Sequence, residues 1–281
     1  MFISEPSFAL RNPIVIAAFE GWNDAGESAT GAIAHLLTVW DHQQLANIDP
    51  EDYYDFQVNR PSIRVDEKVV REIIWPNTVT YAVSTPHLPH DFLIIKGIEP
   101  SMKWRRFADE LLDLADDYEA TMLITMGALL ADTPHSRPIS VTGSGSHPDV
   151  AERLGVEISR YEGPTGIVGV LQDAANRRGL DAVSLWAAVP HYVSTPPSPK
   201  ASLALINALE DFLEISISQG DLPSRAQAWE KQVDQMAAED SEVGDYVKQL
   251  ENSKDSSDIP EMSGEILARE VERFLRRNPE V

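Results

Sequence analysis

Residues 13–40 read PIVIAAFEGWNDAGESATGAIAHLLTVW, and this stretch decides the fold. Ile14 to Phe19 is an unbroken apolar run of strand length, stopped by Glu20-Gly21-Trp22-Asn23-Asp24 and followed at once by an apolar-striped helix. A continuous apolar strand leading straight into a helix is the pattern of a parallel sheet covered on both faces. Ligands and partners of such sheets meet the loops at the carboxyl ends of the strands. The polar group Glu20, Asn23 and Asp24, with Trp22 among them, falls at that place. Asp24 suits a helix N-cap and Glu27 completes a capping box, so these two need no further chemistry. Glu20 and Trp22 are not accounted for in that way.

Working outward, the helix from Asp24 lines up Ala25, Ala29, Ala32, Ile33, Leu36, Leu37 and Trp40, and its glycines Gly26 and Gly31 predict a close approach to another element. Leu45 to Ile48 is expected to pair beside the first strand. Asp52-Tyr53-Tyr54-Asp55-Phe56 and Arg60 read as an irregular surface segment carrying an interaction. Ile63–Val65 and Arg71–Trp75 form a hairpin tipped by Asp66-Glu67-Lys68. Further strands are read at Val79–Val83, Phe92–Ile95, Met122–Met126, Ile139–Thr142 and Val183–Val189, which makes the sheet mixed, with antiparallel pieces added to a largely parallel centre. Helices are read at Met102–Asp117, from Pro148 through Leu154, to about Arg178, and at Ala201–Ile215. The expectation is an α/β class chain: a three-layer α/β/α domain over residues 1–217 and an acidic helical appendage over 218–281.

The last 61 residues hold 15 acidic and 8 basic side chains and no strand signal. Leu222 to Leu250 reads as a long helix broken near Gly244, Asn252 to Ile259 as a flexible linker, and Ile266, Val271, Phe274 and Leu275 as the apolar side of a last helix.

Charge narrows the function. The chain of 281 residues carries 45 acidic and 23 basic side chains, a formal charge of -22. That field repels nucleic acid and anionic membranes, so neither is an expected partner. No cysteine is present, which excludes disulfides, thiolate nucleophiles and cysteine-ligated metals. Met1-Phe2-Ile3-Ser4-Glu5-Pro6 has no basic segment or long apolar run, and no stretch reaches the roughly 20 apolar residues of a membrane span, so a cytoplasmic chain is expected.

Catalytic patterns fare poorly. His87-Leu88-Pro89-His90-Asp91 has metal-ligand residue types, but its prolines give no defined ligand spacing and surface histidines are the expectation; no metal and no cofactor are read. Gly143-Ser144-Gly145-Ser146 is not a nucleophile elbow, and His147 is too close in sequence to serve as a base for Ser144 or Ser146. The same glycines can present backbone N–H groups as an anion nest. Glu20 and Glu99 each lie just past an apolar strand. If those strands are neighbours, the two carboxylates share a cleft, and with His147 they form the alternative, enzymatic site. Gly163-Pro164-Thr165-Gly166 reads as a rigid structural loop in which Thr165 caps the following helix.

The phrases Glu20-Gly21-Trp22-Asn23-Asp24-Ala25-Gly26, Arg60-Pro61, Glu99-Pro100 with Trp104, His135-Ser136-Arg137-Pro138, Tyr161-Glu162-Gly163-Pro164-Thr165-Gly166 and Val189-Pro190-His191-Tyr192 together resemble the proteasome assembly chaperone family. The likeness covers about residues 13–217, and the acidic tail looks like that of actinobacterial members. The resemblance implies an α/β/α fold similar to the nucleoside phosphorylase and peptidyl-tRNA hydrolase class. It also implies a homo-oligomer, with a trimer preferred, and a non-enzymatic role beside proteasome subunits. Trp22, Asn23, Asp24, Tyr53, Tyr54, Phe56 and Arg60 are the expected interaction residues. The alternative is a hydrolase or nucleoside-phosphorylase-like enzyme. The sequence departs from the better-known archaeal and eukaryotic members in its long tail and in ending with Asn278-Pro279-Glu280-Val281, not a hydrophobic–Tyr–X docking tail.

Overall fold

The computed structural model of the chain describes residues 1–65, 70–145, 147–193, 195–257 and 271–277. The elements run in the order β1 (Phe2–Ile3), β2 (Ile14–Glu20), α1 (Ser28–Val39), β3 (Asp41–Asn47), α2 (Pro50–Tyr53), β4 (Ser62–Val65), β5 (Arg71–Ile74), β6 (Thr78–Ser84) and β7 (Phe92–Ile98). They continue with α3 (Trp104–Asp117), β8 (Met122–Ala131), β9 (Val141–Gly145), α4 (Pro148–Leu154), β10 (Glu157–Ile158), α5 (Ile167–Arg178), β11 (Asp181–Pro190), α6 (Pro199–Leu213), α7 (Leu222–Glu239) and α8 (Ser241–Ser257). Residues 271–277 are helical.

Nine strands make one mixed sheet in the order β1-β3-β6-β7-β2-β8-β11-β9-β10, within an α/β/α arrangement that ends in helices. β2 sits at its middle, parallel to β7 on one side, with Ile14 opposite Phe92 and Glu20 opposite Ile98, and parallel to β8 on the other. That position explains its composition: buried from Ile14 to Phe19, it needs apolar side chains on both faces. β1, β3, β6 and β7 pair antiparallel, as the mixed reading expected.

Two compact units are distinguishable, the first made of residues 1–23, 40–126 and 144–184, the second of 24–39, 127–143 and 185–281. The chain passes from one to the other several times. In the first, α3 turns Phe107, Ala108, Leu111, Leu112 and Ala115 inward at the helical period, and packs on α5. Each such leucine contributes about 1.5–3 kcal/mol by burial. In the second, α1 packs on α6 and α6 on α7. A Cβ on Gly31 would stand 2.7 Å from Ser202 Oγ, so the small residues of α1 serve the close approach they suggested.

Several expectations are corrected. Leu45–Ile48 does not lie beside β2; β3 pairs with β6 and β1, because its antiparallel partners come from the edge of the sheet. The helix after β2 begins at Ser28, behind a single 3-10 turn at Ala25–Glu27 in which Gly26 has φ 62°. The strand read at Ile139–Thr142 runs instead from Val141 to Gly145, so its glycines are strand residues with no anion nest at hand. The long tail helix breaks at Asp240, not Gly244, since the Asp240 carboxylate accepts the Glu242 and Val243 N–H groups and starts α8. α8 runs to Ser257 through most of the expected linker. The hairpin tip at 66–69, Ser146, Ile266 and the last four residues lie outside the described residues.

Candidate interaction surface

β2 and β7 are neighbours in register, so the turns leaving them meet. Gly21 takes φ 121°, a left-handed value open to glycine, and this swings the chain so that the Glu99 N–H donates to the Glu20 carbonyl at 2.9 Å. The Glu99 side chain then turns inward. Its Oε1 accepts the Asn23 amide at 2.6 Å and the Ile167 N–H at 2.8 Å, the latter at the first turn of α5. A carboxylate at a helix N-terminus gains from both the orphan N–H and the helix dipole. Asn23 is 1% exposed and lies against Gly166, where a Cβ would come within 2.1 Å of its Oδ1. Gly166 is the N-cap of α5.

This geometry overturns the reading of Thr165 as the cap. Thr165 is exposed and donates no cap, and Gly166 precedes a helix whose first N–H is met by Glu99 from a distant segment. The loop Gly163-Pro164-Thr165-Gly166 is fastened at Gly166, while Tyr161 folds over it to donate to the Pro164 carbonyl at 3.0 Å.

Glu20 and Glu99 are brought side by side, but their carboxylates have different partners: Glu20 faces Lys96 at 3.8 Å. His147 is not with them. It precedes α4 at the end of β9, three strands from β2, or about 14 Å at the usual strand spacing. The cleft expected of Glu20, Glu99 and His147 is not assembled. Asp91 is fully buried, and its carboxylate accepts from Arg11 Nε and Nη2 and from the Arg11 and Thr85 N–H groups, which removes it from any metal set with His87 or His90. Among the described residues no group of three or more metal-ligating side chains converges.

The expected interaction residues divide sharply. Trp22 is 64% exposed and Arg60 is exposed. Phe56 is half-buried against Trp75, with ring centroids 4.9 Å apart. Asn23 and Asp24 are buried; the Asp24 carboxylate accepts the Ala29 N–H at 2.6 Å and the Thr30 hydroxyl, and so holds the start of α1 without Glu27. Tyr53 and Tyr54 are interior, not surface: Tyr53 donates to Glu110 at 2.6 Å, and the Tyr54 hydroxyl lies between Thr78 Oγ1 and the Ile98 carbonyl, with burial pushing its pKa up to about 12. Their mixture with acidic residues mimicked a surface segment because α2 is a single turn with one face inward.

In the second unit, His135-Ser136-Arg137-Pro138 fastens the tail. The His135 N–H donates to the Tyr192 hydroxyl at 2.7 Å, and its ring lies 2.7 Å from that hydroxyl and 3.0 Å from Asp234 of α7. An Nε2–H given to Asp234 leaves Nδ1 to accept the tyrosine proton. Burial pushes Tyr192 up to about 12. Arg137 binds Asp255 of α8 at 2.9 and 2.8 Å. Val193, Trp229 and Val233 close a small core beside these ties.

Sequence reasoning passed over the hairpin β4–β5 as an interaction surface. All eight of its strand residues are exposed. Its one apolar pair, Ile63 opposite Ile73, was the available signal.

Comparison with known proteins agrees with this architecture. The PAC2 family profile matches residues 18–237. A PAC2 family protein from Streptomyces avermitilis is 52% identical, covering 84% of this chain and 99% of its own, with a TM-score of 0.78. A proteasome-assembly chaperone homologue from Mycobacterium tuberculosis is 47% identical over 83% of this chain and 99% of its own, TM-score 0.76. An archaeal proteasome activator from Pyrococcus furiosus shares the fold at 19% identity, TM-score 0.66, over 84% of this chain and 97% of its own. No curated protein matches.

Proposed function

From the premise that this chain belongs to the PAC2 family, we propose that it is a non-enzymatic interaction factor that assists proteasome assembly by binding proteasome subunits in the cytoplasm. The observation that carries the proposal is the fate of the polar strand-end cluster. Glu99, Asn23 and Asp24 are spent on holding α5 and α1, and His147 stands apart, so the place where an α/β sheet usually keeps its chemistry is occupied by internal ties. The Mycobacterium tuberculosis relative, described as a proteasome-assembly chaperone homologue, supports the choice of partner. On this reading the fold is of the nucleoside phosphorylase and peptidyl-tRNA hydrolase class without its activity, since fold does not carry function. The protein acts as a closed homo-oligomer, a trimer, and the accessible residues Trp22, Phe56 and Arg60 contribute contacts. The helical appendage from residue 218 remains attached in that assembly through His135 and Arg137.

The test is capture of purified proteasome α- and β-subunits and their precursors on the immobilised chain. Retention of a subunit, weakened at least about tenfold by Trp22→Ala, is the expected result. Retention of none, together with turnover of a nucleoside and phosphate or of a simple ester that Glu20→Gln abolishes, overturns the proposal in favour of the enzyme.

A further inference from the structure

A two-stranded hairpin is marginal in water unless a third strand or a packed face supports it. β4 and β5 form a sheet of their own, and every residue of both strands is exposed. Residues directly opposite in an antiparallel pair share a face. One face therefore carries Ile63 with Ile73, Val65 with Arg71, and Trp75 two residues beyond Ile73. Ile63, Val65 and Ile73 are each more than half exposed, and Trp75 is the point where the hairpin is pinned to Phe56. With Val58, Val70 and Ile74 these make seven of the eighteen large apolar side chains exposed among the described residues, all within residues 58–75. Such a density in so short a stretch marks an association surface.

Charge selects the occupant. The described residues 58–65 and 70–75 hold three basic side chains and one acidic, whereas the whole chain holds 23 basic and 45 acidic. At a Debye length of about 8 Å it is this local balance, not the total of -22, that an approaching surface meets. Arg60 and Arg71 flank the apolar row, and Arg64 on the other face is paired with Glu72 at 2.9 Å. Hairpin against hairpin would set like charges together, which is unfavourable. Hairpin against the acidic surface of another copy is complementary. We propose that β4–β5 is a self-association arm that docks on a second copy of this chain, drawn by that copy's acidic balance. The contact joins two different surfaces, and a head-to-tail contact of that kind gives a ring where its rotation closes, which is what a trimer requires. This rests on the homo-oligomer reading above and adds which segment makes it.

The experiment is light scattering of the full chain at micromolar concentration, with Ile63→Asp/Ile73→Asp beside it and Thr165→Ala, an exposed residue outside the arm, as the control. The expected result is a wild-type mass of about three times 31.1 kDa, unchanged by Thr165→Ala and lowered to one chain by the aspartate pair, whose dissociation constant rises at least about a hundredfold. Circular dichroism and the urea midpoint show whether the pair is folded; if not, Ile63→Thr/Ile73→Thr, which keeps strand propensity, takes its place. Mixed with wild type, the arm-deficient chain should still accept a wild-type arm and appear in mixed species. An oligomeric wild type whose mass neither pair lowers overturns the arm and leaves the homo-oligomer standing. A wild type of one chain mass at every concentration overturns both. Arm substitutions that leave self-association intact but abolish binding of a proteasome subunit assign the hairpin to that partner and overturn self-docking.

Discussion

The turn after β2 and the hairpin β4–β5 are opposites. The turn carries the most distinctive phrase of the sequence, Glu20-Gly21-Trp22-Asn23-Asp24, yet all of it but Trp22 and the outer half of Glu20 is engaged within the chain. The hairpin carries no motif and keeps its apolar residues in water. Unusual residue types at a strand end thus report geometry that must be met: a left-handed Gly21, a carboxylate for the orphan N–H of α5, an aspartate for α1. Ordinary alternating isoleucines report a face that nothing in the chain covers. The contrast has consequences for mutation, because the turn should be sensitive in stability and the hairpin only in association.

The largest effect is expected from Glu99→Ala. It strips partners from the buried Asn23 amide and from the Ile167 N–H, and loss of charge-assisted bonds of this kind costs about 3 kcal/mol. A urea titration reads it as a fall in midpoint. An unchanged midpoint would mean the turn is no more constrained than the hairpin. Gly166→Ala should cost about 2 kcal/mol, since the added methyl must displace a buried Asn23 side chain. Asn23→Ala in the same chain should relieve part of that cost, and the double-mutant cycle measures the relief.

A smaller effect, present at neutral pH and lost in acid, belongs to the opposite ends of the same two strands. Asp91 precedes β7 and grips Arg11 ahead of β2. Burial alone would raise its carboxyl, but the Arg11 guanidinium and the Thr85 and Arg11 N–H groups hold it below the usual carboxylate range. A depressed folded pKa contributes stability that is present above the unfolded value, about 3.9, and lost as pH falls through the folded value. Asp91→Asn should therefore flatten the acid limb of the stability curve below about pH 4 and lower stability at pH 7. A mutant curve parallel to wild type down to pH 2 would contradict the assignment.

How far the fold was legible follows from where its signals reside. β2, β7, β8 and β11 announce themselves because strands buried on two faces must be apolar throughout. The face of α3 is plain from its period. β3 was misplaced because Asp41-His42-Gln43-Gln44 is an edge-side strand with exposed residues, and pairing partners of such strands leave no trace in local sequence. Tyr53 and Tyr54 were misread because their burial depends on Glu110, Thr78 and Ile98, which are distant in the chain. The strand-end site was found in the right place and its role was not. That Glu99, rather than Thr165, reaches the first N–H of α5 depends on the register of β7 against β2, which no spacing rule supplies.

The smallest predicted effect is that of Thr165→Ala, and it sharpens the contrast most. A threonine that capped α5 would cost about 0.5–2 kcal/mol on truncation. Here the residue is exposed, its side chain lies over Gly169, and the N–H it would have met is held by Glu99. The change should therefore fall within about 0.5 kcal/mol of wild type, as surface substitutions away from special features do. Ile63→Ser on the hairpin should fall in the same narrow range once the chain is diluted to a monomer, for the same reason. The two variants are then matched in stability and differ in surface: only Ile63→Ser should lower the mass read by light scattering at micromolar concentration. A fall of 1 kcal/mol or more for Thr165→Ala would return the cap to Thr165 and leave Glu99 a secondary tie. Equal masses for both variants would remove the hairpin from the assembly.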